Sequence, residues 1–153
     1  MKQLSLLLVL CFVLISTSTV LAADGLTSLK SSYSPAETMN RFEAIAKQKG
    51  LNIFARINHT AGAAKIGKTL RPTEVLIFGN PQGGTPFIEC AQTVGIDLPL
   101  KVLVWEDADG QVWLGYNDPV YLAQRHGVAQ CPAAGKLGKA LAGLSKAALM
   151  VEK

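Results

Sequence analysis

Two apolar runs, residues 100–105 (LKVLVW) and 111–116 (QVWLGY), flank the short acidic stretch Glu106-Asp107-Ala108-Asp109-Gly110. Both runs are rich in β-branched and aromatic residues. A Gly-ended turn between such runs predicts an antiparallel hairpin. Any fold proposed for the chain has to accommodate that hairpin.

The other elements follow from local signals. Residues 26–32 (LTSLKSS) alternate as a first strand. Ser34-Pro35-Ala36-Glu37 then supplies a hydroxyl N-cap, a first-turn Pro and a Glu three residues on, the pattern of a capping box. Met39, Phe42, Ile45 and Ala46 recur at helical spacing and Gly50 is a stop, so a helix is predicted over 35–49. Residues 51–59 alternate, with Leu51, Ile53, Ala55 and Ile57 on one face and Asn52, Arg56 and Asn58 on the other. Residues 74–79 (EVLIFG) read as a central strand, apolar on both sides. Residues 86–94 read as a short helix ended by Gly95. Asn117-Asp118-Pro119 caps a further helix closed by Gly127. Pro132 reads as a break, and Leu137, Leu141, Leu144 and Ala148 mark a final amphipathic helix. Segregated helices with an antiparallel hairpin give an α+β class, a sheet covered on one face.

The N-terminus points to a compartment. Lys2 precedes an unbroken ten-residue apolar run at residues 6–15 (LLLVLCFVLI), a polar break and Val20-Leu21-Ala22. Residues 1–22 therefore read as a secretory signal peptide, followed by a single domain over 23–153. The run is short of the roughly 20 residues of a bilayer span, and an uncleaved anchor is the alternative. The expectation is a periplasmic or secreted protein that meets a membrane only during export. Cys90 and Cys131 would then stand in an oxidising compartment. A bridge between them is the candidate disulfide; two unpaired buried thiols are the alternative. The chain is 49% hydrophobic and 17% charged, with mean hydropathy +0.26, which excludes a disordered chain. A formal charge of +4 is a mild surplus. Lys136, Lys139 and Lys146 without interleaved aromatics read as a solvated face, so no nucleic acid is expected.

One sharp match is set aside. Residues 62–69 (GAAKIGKT) fit the phosphate-binding pattern GxxxxGK[ST] letter for letter. The mechanism needs a helix that starts at the Lys-Thr pair. Here Leu70-Arg71-Pro72 and a strand follow, and Pro72 would break that helix, so no nucleotide is expected. Asp107-x-Asp109-Gly110 resembles the opening of a calcium loop but lacks the further oxygens and closing Glu. No motif names a catalytic group or a cofactor.

His59 ends the apolar face of residues 51–57, where a titratable ring reads as a pocket floor. A core-edge histidine satisfied by a backbone carbonyl is the plain alternative. No His or Cys stands at ligand spacing to it, so no metal site is assigned. His126 sits beside Gly127 at a helix C-terminus, where the dipole accounts for it. Glu74, Asp97 and Glu106 stand at element boundaries, free to pair with Arg71 or His59.

Several motifs in one order resemble the family called domain of unknown function 302. They are Ile57-Asn58-His59; Leu70-Arg71-Pro72-Thr73-Glu74; Phe78-Gly79-Asn80-Pro81; Gly84-Thr85-Pro86; Asp97-Leu98-Pro99-Leu100; Trp105-Glu106-Asp107; and Tyr116-Asn117-Asp118-Pro119 with Arg125-His126-Gly127. The resemblance implies a two-layer α/β sandwich of TATA-binding-protein-like topology (strand, helix, four strands, helix) and a homodimer. It implies no established activity, and the family often has an acid where this chain has Asn58.

Three functions follow as expectations. The first is small-ligand or metal binding without catalysis, with His59, Glu74, Asn80, Glu106 and Tyr116 as the polar contacts. The second is an enzyme using His59 with Glu74 or Glu106 as an acid–base pair. The third is a homodimeric interaction module.

Overall fold

The computed structural model describes residues 24–151, so the apolar leader at residues 1–22 lies outside the described residues. Strands and helices follow in the order β1 (Leu26–Ser31), α1 (Pro35–Gln48), β2 (Asn52–Asn58), α2 (His59–Lys65), β3 (Thr73–Gly79), α3 (Pro81–Cys90), β4 (Leu100–Glu106), β5 (Val112–Asn117), α4 (Pro119–Arg125) and α5 (Pro132–Leu149). A 3-10 turn, Gln92–Ile96, joins α3 to β4. The five strands make one sheet in the order β1-β5-β4-β3-β2, with antiparallel neighbours throughout. This is the expected α+β sandwich, a strand–helix–four-strand–helix frame with α2, α3 and α4 set into its connections.

The local signals act as the residues suggest. Ser34 Oγ accepts the N–H of Glu37 at 3.3 Å, with Pro35 in the first turn. In the hairpin, Trp105 lies opposite Trp113 and Leu103 opposite Gly115. Asp107 Oδ1 accepts the N–H groups of Asp109 and Gln111, both at 2.9 Å. Gly110 takes φ +78°, a conformation that costs glycine little.

Helices α1 and α5 cross one face of the sheet. Leu76, Phe78, Val102, Val104 and Leu114 pack there against Met39, Phe42, Leu141 and Leu144, and all are buried. The Phe42 and Phe78 rings meet edge-on, centroids 5.1 Å apart. A second buried cluster, including Phe87, Val94, Leu122, Ala123 and Ala134, forms where α3, the 3-10 turn and α4 meet the start of α5. Cys90 and Cys131 stand at disulfide distance across it, their Cα atoms 6.1 Å apart.

Four local expectations are corrected. The regular alternation of residues 51–59 is broken by a register shift between Ile53 and Ala55. One extra residue flips every later side chain to the opposite face. Phe54 is thrown outward, 57% exposed, and Arg56, opposite Leu76, now lies on the helix-covered face. The strand also ends one residue early, because Asn58 caps α2 by accepting the Ala61 N–H at 2.8 Å. The helix expected at 86–94 instead starts at Pro81, with Asn80 as its cap and Pro86 inside it. Pro132 does not break the chain; it opens α5 as a first-turn proline.

Candidate functional site

The five candidate contacts do not form one site. In the register of β2, β3 and β4, His59, Glu74 and Glu106 belong to one end of the sheet. Asn80 follows the opposite end of β3, six residues from Glu74 and so roughly 20 Å away in an extended strand. Tyr116 is buried in the main core opposite Thr27 of β1. Burial pushes its phenol above the ordinary value, opposed by a hydrogen bond with Thr27.

His59 is the largest departure from expectation. It is the first residue of α2, exposed, and its side chain makes no hydrogen bond or ion pair among the described residues. The bulge in β2 and the Asn58 cap remove it from the core face. An acid at position 58 would accept the same helix N–H, so the Asn58 departure from the family pattern leaves the cap intact.

Glu74 is committed elsewhere. Its two oxygens accept from Arg56 Nε at 2.9 Å and Arg56 Nη2 at 2.8 Å, a forked pair. Arg56 Nη1 also donates to Asn40 Oδ1 and Glu43 Oε2 on α1. These bonds, that to Glu74 foremost, raise the Arg56 pKa, while Lys47 and then Arg56 hold Glu43 below its ordinary value. The acid–base pair of His59 with Glu74 is therefore not assembled. Glu106 makes no side-chain hydrogen bond or ion pair among the described residues, and its backbone carbonyl accepts from Arg71 Nε at 3.3 Å.

Two of the candidates line cavities among the described residues: Glu74 borders a space of about 300 Å³ beside Ser34, Asn58 and Pro72, and Asn80 borders a larger one. A space of about 540 Å³ opens between the Asn80 end of β3, the start of α3 and the side of α5. Its walls are Leu51, Phe54, Phe78, Ile88, Leu98, Leu100, Leu137, Leu141 and Leu144, with Gly83 and Gly84 at the start of α3. Asn80 and Thr85 are the polar side chains on it, and among the described residues no ionisable side chain lines it. Asn80 Oδ1 accepts the Gly83 N–H at 2.9 Å, which fixes the side chain at the mouth. The outward Phe54 joins this wall because of the bulge. The volume is in the range of small-molecule sites, about 300–1,000 Å³.

A polar cluster that the residue pattern did not reveal lies beside the second core. His126 caps the end of α4, as its position suggests. Its ring bridges two groups on the segment after α3: Nδ1 stands 2.9 Å from Thr93 Oγ1, and Nε2 stands 2.7 Å from Asp97 Oδ2. Arg125 Nη1 reaches Asp97 Oδ1 at 3.1 Å. Asp97 thus pairs with His126 and Arg125, not with Arg71 or His59. No local signal joins residues this far apart in the chain. Among the described residues, no group of three His, Cys, Asp or Glu side chains is placed to hold a metal ion.

Residues 27–144 match the family described as domain of unknown function DUF302. The chain belongs to the DUF302 family. A DUF302 crystal structure from Bacillus stearothermophilus shares the fold, with TM-score 0.74 and 24% identity over 82% of this chain and 99% of that one. Over 103 residues, 67% of its length, this DUF302 chain is 52% identical to a Brucella suis biovar 1 (strain 1330) protein named fluoride-specific ion channel FluC 1. It is equally identical to fluoride-specific ion channel FluC 2 of Brucella melitensis biotype 1 (strain ATCC 23456 / CCUG 17765 / NCTC 10094 / 16M). The match covers 41% and 38% of those proteins, so the chain spans about two-fifths of the curated relatives it matches. Among its described residues no helix is long and apolar enough to cross a membrane.

Proposed function

We propose that this DUF302 domain is an exported binding protein for an uncharged, largely apolar small molecule, held between α3 and α5. One observation carries the reading: the 540 Å³ cavity has walls of aliphatic and aromatic carbon, two polar side chains at hand and, among the described residues, no ionisable group. Burying a charged ligand there would cost several kcal/mol without a partner. Burying apolar surface returns about 25 cal/mol per Å². Asn80 and Thr85 suit a single hydroxyl, carbonyl or amide on the ligand. Export is supported by the apolar leader and by the placement of Cys90 and Cys131.

The test is titration with N-phenyl-1-naphthylamine, a neutral probe that brightens in apolar surroundings. Saturable brightening at one site is expected, abolished by Ala140→Trp, since Ala140 of α5 also lines the cavity. Brightening that never saturates, or that survives Ala140→Trp in a folded protein, rejects the cavity as the site.

The Brucella proteins favour a second reading. A domain 52% identical to part of proteins named fluoride channels would work beside such a channel at a membrane. Deleting this chain should then raise the sensitivity of its host to fluoride. Unchanged sensitivity counts against it.

A further inference from the structure

We propose that Thr93, His126 and Asp97 form an acyl-transfer centre for small carboxylic esters reached from solvent, separate from the apolar cavity. The three stand in the order nucleophile, base and orienting acid. Thr93 Oγ1 is 2.9 Å from His126 Nδ1, and Asp97 Oδ2 is 2.7 Å from His126 Nε2. Such a constellation is recognised by roles and geometry, not by chain order.

The carboxylate decides which ring nitrogen carries the proton. An ionised Asp97 only accepts, so Nε2 must donate to it. In the neutral ring Nδ1 then keeps its lone pair and is placed to accept the Thr93 hydroxyl hydrogen at 2.9 Å. Burial suits each role. The His126 and Asp97 side chains are 9% and 13% exposed, which fixes the ring, whereas Thr93 is exposed and open to substrate. The His126–Asp97 pair alone would tie α4 to the 3-10 turn. The Thr93 hydroxyl on the remaining nitrogen adds nothing that such a tie requires. Arg125 engages Asp97 through Nη1, and its side chain is 54% exposed. That contact adds a second hold on the Asp97 carboxylate beside the one from His126.

The steps balance without a cofactor. Thr93 Oγ1 bonds to the ester carbonyl carbon while its proton passes to His126 Nδ1. Asp97 holds the imidazolium through Nε2. The bond from carbonyl carbon to alkoxy oxygen breaks, and the alcohol leaves with the proton from Nδ1. Water then attacks the Thr93 ester, gives a proton to Nδ1, and releases the acid while Thr93 recovers its hydrogen. The net change is ester plus water to acid plus alcohol. Thr93 and His126 are the catalytic residues, and Asp97 is a positioning residue.

The experiment is hydrolysis of 4-nitrophenyl acetate by the full folded chain, with a fluorophosphonate as covalent probe. Expected results are turnover, a phosphonyl adduct mapped to Thr93, and loss of both in Thr93→Val by about 100-fold or more. Thr93→Ser, which retains a hydroxyl, regains turnover and the adduct relative to Thr93→Val. Asp97→Asn lowers kcat with KM held, which damage to packing alone would not separate. His126→Ala removes a bridge between two segments and can fail to fold, so the decision rests on Thr93→Val with thermal unfolding as its control. Turnover unchanged in a folded Thr93→Val, an adduct elsewhere, or no turnover at all overturns the proposal.

Discussion

The indole of Trp105 lies over Gly115: a Cβ built on that glycine would fall 2.9 Å from Trp105 Cζ3 and 3.1 Å from the Thr27 carbonyl oxygen. The glycine is there for space, since β1 and β5 pair regularly on either side of it. Gly115→Ala forces the ring or the β1 backbone to move. Overpacking costs typically 1–3 kcal/mol, against roughly 0.5–1 kcal/mol that Ala gains over Gly in a strand. Net destabilisation of about 1 kcal/mol is expected by urea unfolding. A variant as stable as the parent would show that Trp105 swings aside freely.

Trp113 offers an optical reading of acid titration. Its Nε1–H donates to Asp107 Oδ2 at 2.7 Å, and that bond is the leading cause of the lowered Asp107 pKa. A depressed folded pKa contributes stability above the ordinary carboxylate range. That contribution is lost as pH falls through the folded value. Tryptophan fluorescence should therefore change with a midpoint below the ordinary aspartate range, and Asp107→Asn should abolish the step. A midpoint at the ordinary value would disprove the coupling.

Arg56 joins α1 to the edge of the sheet through Glu43 and Glu74. Glu43 titrates below its ordinary value, held first by Lys47. Its contribution is complete above the unfolded carboxylate pKa and fades as pH drops through the lowered one. Glu43→Gln should flatten the acid limb of stability against pH. Arg56→Ala should cost about 1 kcal/mol at neutral pH, a figure kept small by solvent access. Calorimetry over pH 3–7 distinguishes these outcomes from an ornamental cluster, for which both variants would track the parent.

Cys90 and Cys131 span 41 residues. Closing a loop of that length stabilises by about 4 kcal/mol in the chain-entropy description. The double variant to Ala should lose about 3–4 kcal/mol in urea unfolding. A loss below about 1 kcal/mol would mean that the second core holds α3 to α5 unaided.

Elements framed by their own neighbours were legible in the residues. Helix α1 begins with a hydroxyl cap and a proline, α4 with Asp118 and Pro119, and the hairpin closes on Gly110. What depended on a partner was hidden. The bulge in β2 is visible only as a slip against β3, so letter-by-letter alternation placed Arg56 and Ile57 on the wrong faces. Asn58 was readable as a cap only if the strand stopped there. Pro86 looked like a helix start because the actual start, Asn80-Pro81, is followed by two glycines. Of the candidate site, Asn80 was legible; the apolar wall needed α5 laid against α3, and the His126 cluster needed α4 folded back on the 3-10 turn.

The place of β1 in the sheet bears on the order in which the fold is made. Leu26 pairs with Asn117, about ninety residues further on, and β5 is the strand that β1 pairs with. Helix α1 and the β4–β5 hairpin can form from near neighbours, whereas joining β1 to β5 must close a long loop at an entropic cost. A chain still emerging from the ribosome, with β5 unmade, holds β1 as a strand without its mate. The earliest-synthesised strand among the described residues is thus among the last to be seated.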